Sequence, residues 1–323
     1  MDFNREAELD TSNVTDEVYG EGGGGYDSGG SGLGGRVAVG GGGVSILGLI
    51  LYLVISQLGG GGGSLPSLPS GSGSYGGGGS VAQGGGSADD PRSLQNACHT
   101  GADVARNSRC EIVAISNSIE DYWADEFASS NERYSHAGLH VFSGATRTGC
   151  GAASADVGPF YCPADKNVYI DLSFYDELTQ RFHAQGGPFA RAYVLAHEYG
   201  HHVQDLLGRS TGGSATGATS GSVRLELQAD CYAGVWANHA QQTKTPSGKP
   251  LIENITQNDI NAAVDTASRI GDDYIQSKIA GRQVNESQFT HGSSEQREKW
   301  LQTGLKTGDP SKCNTFARGV SLG

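Results

Sequence analysis

The chain is poor in basic residues. It carries 22 Lys and Arg against 35 Asp and Glu, a formal charge of -13 at pH 7. No basic patch is present to release counterions from a phosphate backbone, which excludes nucleic acid as a partner. No CxxC pair occurs among the six cysteines, which argues against a structural zinc knuckle. The one long apolar run has no basic stretch just before it and no small-residue cleavage pattern after it, so a cleavable signal peptide is disfavoured.

Glycine, by contrast, is abundant, with 52 in 323 residues, most of them in the first third. Residues 1–36 are acidic and then glycine-rich, with no sustained hydrophobic period. They cannot bury enough apolar surface to offset the entropy of ordering, and disorder is expected. Residues 44–58 read VSILGLILYLVISQL. With the apolar residues Val37, Ala38 and Val39 and the intervening glycines, residues 37–58 have the length of a bilayer span, ~20 residues, and a single transmembrane helix is expected. Glycine tracts on both sides disfavour a buried core helix. Residues 59–90 return to Gly and Ser, a flexible linker with a reach on the order of 30 Å.

All six cysteines lie beyond this linker, at positions 98, 110, 150, 162, 231 and 313. An even number suits an oxidising compartment, whereas the arginines flanking the apolar run give little orientation signal. The expectation is a protein of the cytoplasmic membrane with its folded domain outside. Equal spacings invite pairing of Cys98 with Cys110 and Cys150 with Cys162, leaving Cys231 for Cys313. That is one of many connectivities; reduced buried thiols and a second zinc site are the alternatives.

Residues 91–323 read as one domain, α+β and mostly α. Residues 110–127 have helical apolar spacing, 139–142 and 168–172 read as strands, and further helices are expected at 174–184, 257–278 and 294–303. The strand at 168–172 could present an edge to an extended substrate.

The rest is organised around residues 192–203, AYVLAHEYGHHV. Pro188 suits a first helical turn, Phe189, Tyr193, Ala196, Tyr199, Val203 and Leu206 form an apolar stripe, and Gly208 suits the end. On this helix His197 and His201, four apart, share one face and can converge on one zinc ion. Glu198 then emerges beside the metal as a general base. A third histidine six residues beyond His201 would mark a metzincin, but that position is Leu207. The third ligand must come from elsewhere. Residues 222–237, SVRLELQADCYAGVWA, form a second helical pattern with Glu226 and Asp230 on a common face. Glu226 suits the third ligand, and Asp230 suits an acceptor for the second ring N–H of a ligating histidine. The competing reading of the two carboxylates is a solvated acidic face, and His239, Asp205 and His183 are weaker ligand candidates.

HEYGHHVQ followed by RLELQADCYAGVWA closely resembles the bacterial neutral zinc metallopeptidases, a family of membrane-anchored predicted metalloproteases. The resemblance extends through MDFNREAELDTSNV, the glycine tract with its apolar segment, GPFYCPADKNVYIDLSFYDEL and FTHGSSEQR. It implies a zincin-like metallopeptidase domain behind a single transmembrane helix and Gly-rich linkers. It also implies one catalytic Zn2+ on His197, His201 and Glu226, and Glu198 as general base. The stretch FTHGSSEQREKW is similar to the threonine-histidine-proline stretch and later arginine of the membrane proteases typified by CAAX prenyl protease, with Gly292 in place of the proline. His291 is thereby a candidate donor to the developing oxyanion, with Arg297 assisting or orienting it; a cap on the helix from Ser294 is the alternative for His291.

The expected activity is hydrolysis of a peptide bond in a peptide or protein substrate. Two other classes stay open: a membrane-tethered binding or assembly protein with structural zinc, and a zinc hydrolase of a non-peptide amide. A structural site would close its coordination with four protein ligands, and only three stand out.

Overall fold

The computed structural model describes residues 1–18, 90–209 and 214–323. In chain order the elements are β1 (Asp2–Phe3), β2 (Val14–Asp16), α1 (Leu94–Ala97), α2 (Gly101–Val104), α3 (Cys110–Ser129), β3 (Gly138–Phe142), β4 (Ala145–Thr148), β5 (Gly151–Ser154), β6 (Phe160–Cys162), β7 (Asn167–Asp171), α4 (Phe174–Gln180), α5 (Pro188–Leu206), α6 (Gly221–His239), β8 (Ile252–Glu253), α7 (Gln257–Arg269), α8 (Asp272–Tyr274) and α9 (Ser294–Thr307). The architecture is α+β.

The main sheet has the order β2-β3-β7-β6. β3 runs parallel to both β2 and β7, with Leu139 opposite Val168, and β6 is antiparallel to β7. β7 is therefore an interior strand, which corrects the expectation that 168–172 offers an edge. The edge on that side is β6. Val168 and Ile170 are both fully buried, as is Tyr169 between them: neighbours on both sides and on both faces leave no exposed register.

α5 occupies the centre of the domain. Pro188 supplies its first turn, and Phe189, Tyr193, Ala196, Tyr199 and Val203 are all buried. α6 starts at a Ser220 cap whose hydroxyl accepts from Val223 N–H. α9 starts with a capping box between Ser293 and Gln296 and ends at Gly308 in the left-handed region. The expected helix at 257–278 is interrupted: α7 stops at Arg269, Gly271 packs against Ser294, and the chain resumes as α8 and a π turn at Ile275–Ile279. The three disulfides are Cys98–Cys110, Cys150–Cys162 and Cys231–Cys313, the pairing that spacing invites.

Residues 1–18 are not disordered, contrary to the expectation for 1–36. β2 extends the main sheet, β1 pairs with β8, and Ala7, Leu9 and Val14 are buried. Asp16, fully buried, accepts from Leu94 N–H and pairs with Arg109 at 2.7 Å. No hydrophobic period announces this segment because its few apolar residues complete a core built by the rest of the chain.

The single transmembrane helix is also corrected. Among the described residues no helix is long and apolar enough to cross a membrane. The stretch expected to cross, 37–58, lies outside the described residues, as do most of the expected linkers. Its flanks, 1–18 and the chain from 90 onward, pack into one sheet and one core, and a single crossing would separate them.

Candidate metal centre

His197, Glu198 and His201 project from α5 toward α6, which brings Glu226 and Asp230. One ligand atom each from His197, His201 and Glu226 lies within 4.8 Å of the others. His197 Nε2 is 3.1 Å from Glu226 Oε2, and His201 Nε2 is 3.5 Å from Glu226 Oε1. Ligand atoms around a tetrahedral zinc stand roughly 3.4 Å apart.

The far edges of both rings are held. Asp230 Oδ1 accepts the His197 Nδ1 proton at 2.7 Å, and Gln204 Oε1 faces His201 Nδ1 at 2.9 Å. The Gln204 amide nitrogen donates to Leu225 O and to Gln228 Oε1, which turns its oxygen toward His201. Both histidines consequently direct an Nε2 lone pair at Glu226. Two buried atoms in this cluster, His201 Nε2 and Glu198 Oε1, have no hydrogen-bond partner. Lone pairs facing carboxylate oxygens in a largely buried cluster call for a cation or protons. Two imidazoles and a carboxylate, the first two fixed in the ligating tautomer, are a donor set that fits zinc.

The charges agree with that requirement. Burial opposes ionisation of Glu226, yet the His201 and His291 charges hold it well below the carboxylate range. Burial also opposes a charged His201, but Glu226 and Glu198 outweigh it and raise the ring to about 9. Glu198 is pushed up to about 7 by burial, against the pull of the two imidazoles. Its Oε2 accepts Tyr161 N–H at 3.1 Å. Asp230, despite full burial, is held down at about 2 by Arg297 and His197.

The family model described as "Putative neutral zinc metallopeptidase" matches residues 1–316. The chain belongs to this family. Among its relatives, the uncharacterized protein Rv2575 of Mycobacterium tuberculosis is 48% identical over 224 residues, covering 68% of this chain and 74% of the relative. The uncharacterized protein YpfJ of Escherichia coli is 46% identical over 208 residues, covering 62% of this chain and 69% of the relative. No solved structure matches the chain significantly.

For this member of the zinc metallopeptidase family, the structure brings His197, Glu198, His201, Glu226 and Asp230 together as the sequence suggests. Arg297 takes a different place. Its guanidinium forks onto Asp230, Nε to Oδ2 and Nη2 to Oδ1, both at 2.9 Å, and not onto His291. One full helical turn separates Ser293, the cap of α9, from Arg297, which points the side chain along α9 into the α5–α6 interface. His291 is 1% exposed and does not cap α9, since Ser293 does. The weaker candidates are engaged elsewhere: Asp205 accepts from Tyr161 OH, and His239 stacks on Tyr122 and bonds Gly308 O; His183 is not in the cluster.

Sequence reasoning missed Gln204, Tyr161, Tyr193 and Asp272. Gln204 was within reach of it, three residues after His201 on the same helix. Tyr193, whose hydroxyl donates to Asp230 Oδ1 at 2.7 Å, reads only as part of the apolar stripe. Tyr161 and Asp272 come from distant segments and carry no local signal.

Proposed function

We propose that this chain is a zinc-dependent peptidase. The observation that carries the reading is the convergence of His197 Nε2, His201 Nε2 and a Glu226 oxygen within 4.8 Å of one another, with His201 Nε2 and Glu198 Oε1 buried and without a hydrogen-bond partner, in a cluster whose imidazoles are held in the ligating tautomer. His197, His201 and Glu226 would hold the ion. Zinc in such a site supplies Lewis acidity toward water and toward a carbonyl oxygen.

Everything else falls to the chain's own groups. Glu198, lifted to about 7 by burial, is suited to take a proton from an attacking water and return it to a leaving amine near neutral pH. Tyr161 N–H holds one of its oxygens and leaves the other free for that exchange. Asp230, clamped by Arg297 and Tyr193, holds the His197 ring in place. His291 stands close enough to Glu226 for their charges to stabilise each other, and would donate to the oxygen that becomes negative in the transition state. The edge strand β6, bonded to Glu198 through Tyr161, supports an extended polypeptide as substrate. The three disulfides support a domain that works in an oxidising compartment.

The test is zinc content and casein cleavage by the full chain beside Glu198→Gln. One zinc per chain in both proteins, with cleavage in the wild type alone, is the expected result. Equal cleavage by the variant would remove Glu198 from its role, and a folded protein without zinc would overturn the reading.

A further inference from the structure

Asp272 stands 19 residues before His291 in the sequence, yet it is folded onto it. Its Oδ2 accepts three consecutive backbone N–H groups, from Thr290, His291 and Gly292, at 2.8, 2.8 and 3.0 Å. Its own N–H donates to Gly292 O at 2.9 Å. Its second oxygen, Oδ1, faces His291 Nδ1 at 3.4 Å, and Thr290 Oγ1 lies 2.8 Å from the same nitrogen. Next to it, Asp273 Oδ1 accepts from Ser294 N–H and Oγ at 2.7 and 2.8 Å. Two successive aspartates thus fasten the turn that carries His291 to the start of α9.

The turn is pressed against the metal-binding helix. Gly292 has φ +94°, and a Cβ there would meet Val223 Cγ1 at 3.3 Å and Leu227 Cδ2 at 3.2 Å, side chains of α6 on either side of Glu226. A left-handed backbone excludes proline, whose ring locks φ near -65°. With its Nδ1 edge turned to Asp272 and Thr290, the His291 ring has no protein partner at Nε2 among the described residues. The polar edge left over is the one available to the cleft.

We infer that Asp272 is a positioning residue for His291, holding the ring by Nδ1–H and its backbone by three N–H groups so that Nε2–H of the imidazolium serves as a donor in the metal cleft. The carboxylate does two separable things. Gathering three N–H groups shapes the turn, and facing Nδ1 orients the ring. Asp272→Asn separates them: its amide oxygen still accepts from the backbone, while its NH2 group puts a donor where Nδ1–H needs an acceptor.

The inference rests on the peptidase reading for its kinetic part and is independent of it for its spectroscopic part. The full chain would be prepared as wild type, Asp272→Asn, His291→Gln and the double variant. In metal-free protein with 15N-labelled histidine, a hydrogen-bonded His291 Nδ1–H resonance is expected in the wild type and lost in Asp272→Asn, with thermal unfolding unchanged. An unchanged resonance in the variant would overturn the inference, because Thr290 alone would then hold the ring. With zinc bound, His291→Gln is expected to lower kcat about 100-fold and Asp272→Asn at least about 10-fold with KM nearly unchanged. The double variant should be no slower than His291→Gln alone. Additive losses, or wild-type kcat in Asp272→Asn, would overturn the inference. A wild type that binds zinc and cleaves nothing would defeat the peptidase reading, and the resonance would still decide the role of Asp272.

Discussion

A buried carboxylate at position 198 is costly to this fold. Glu198 is lifted from 4.5 to about 7 in the metal-free protein. The unfolded chain loses that proton near pH 4.5, while the folded chain keeps it to about 7. The folded state therefore binds more protons in this window, and stability falls as pH rises through it, by on the order of 3 kcal/mol. Glutamine has the same shape and no proton to lose. Metal-free Glu198→Gln should match the wild type in denaturant melts at pH 4.5 and exceed it at pH 8. Equal midpoints at pH 8 would show that Glu198 is not destabilised by burial. The HExxH spacing makes this residue legible as chemistry, since the i, i+1, i+4 pattern is a property of one helix. Its strain is not legible, because burial comes from Tyr161 and the sheet.

Between elements, α6 and α9 approach closely. Gly234 and Gly304 face each other there; a Cβ on Gly304 would lie 2.0 Å from Cys231 O and 2.6 Å from Val235 N. Two opposing effects act on Gly304→Ala. Alanine is the better helix former by about 1 kcal/mol, but the added methyl collides with backbone that cannot rotate away. Overpacking wins, and the variant should lose about 3 kcal/mol or more in urea unfolding, well beyond the propensity gain. A stabilised variant would mean that the helices can separate freely. This contact also brings Arg297 of α9 to Asp230, the carboxylate that faces His197. In the sequence both helices are recognisable from their periodicity. Their crossing is not, since two glycines announce a close approach without saying to what.

At the scale of the molecule, residues 1–18 are part of the domain that holds the candidate metal site. A fragment of residues 90–323 would expose the β3 edge, empty the places of Ala7, Leu9 and Val14, and leave Arg109 without the Asp16 carboxylate. It should melt lower than the full chain and associate through the bared edge, and a synthetic peptide of residues 1–18 should restore the melting temperature. A fragment as stable and monodisperse as the full chain would show the segment to be dispensable. The main sheet depends on it in the same way that β7 depends on β6, by pairing across long stretches of sequence.

By itself the sequence determined what periodicity and spacing can encode: the helices of the core, the two imidazoles and Glu198 on α5, the Glu226 and Asp230 pair on α6, and the family. These features are local, or repeat at a fixed interval, so each is readable within a window of a few turns. Only the tertiary structure decided that β7 is interior, that residues 1–18 complete the sheet, that Arg297 serves Asp230, and that Asp272 carries His291. Those depend on segments meeting across the core, where burial and hydrogen-bond satisfaction are settled by neighbours far away in the chain.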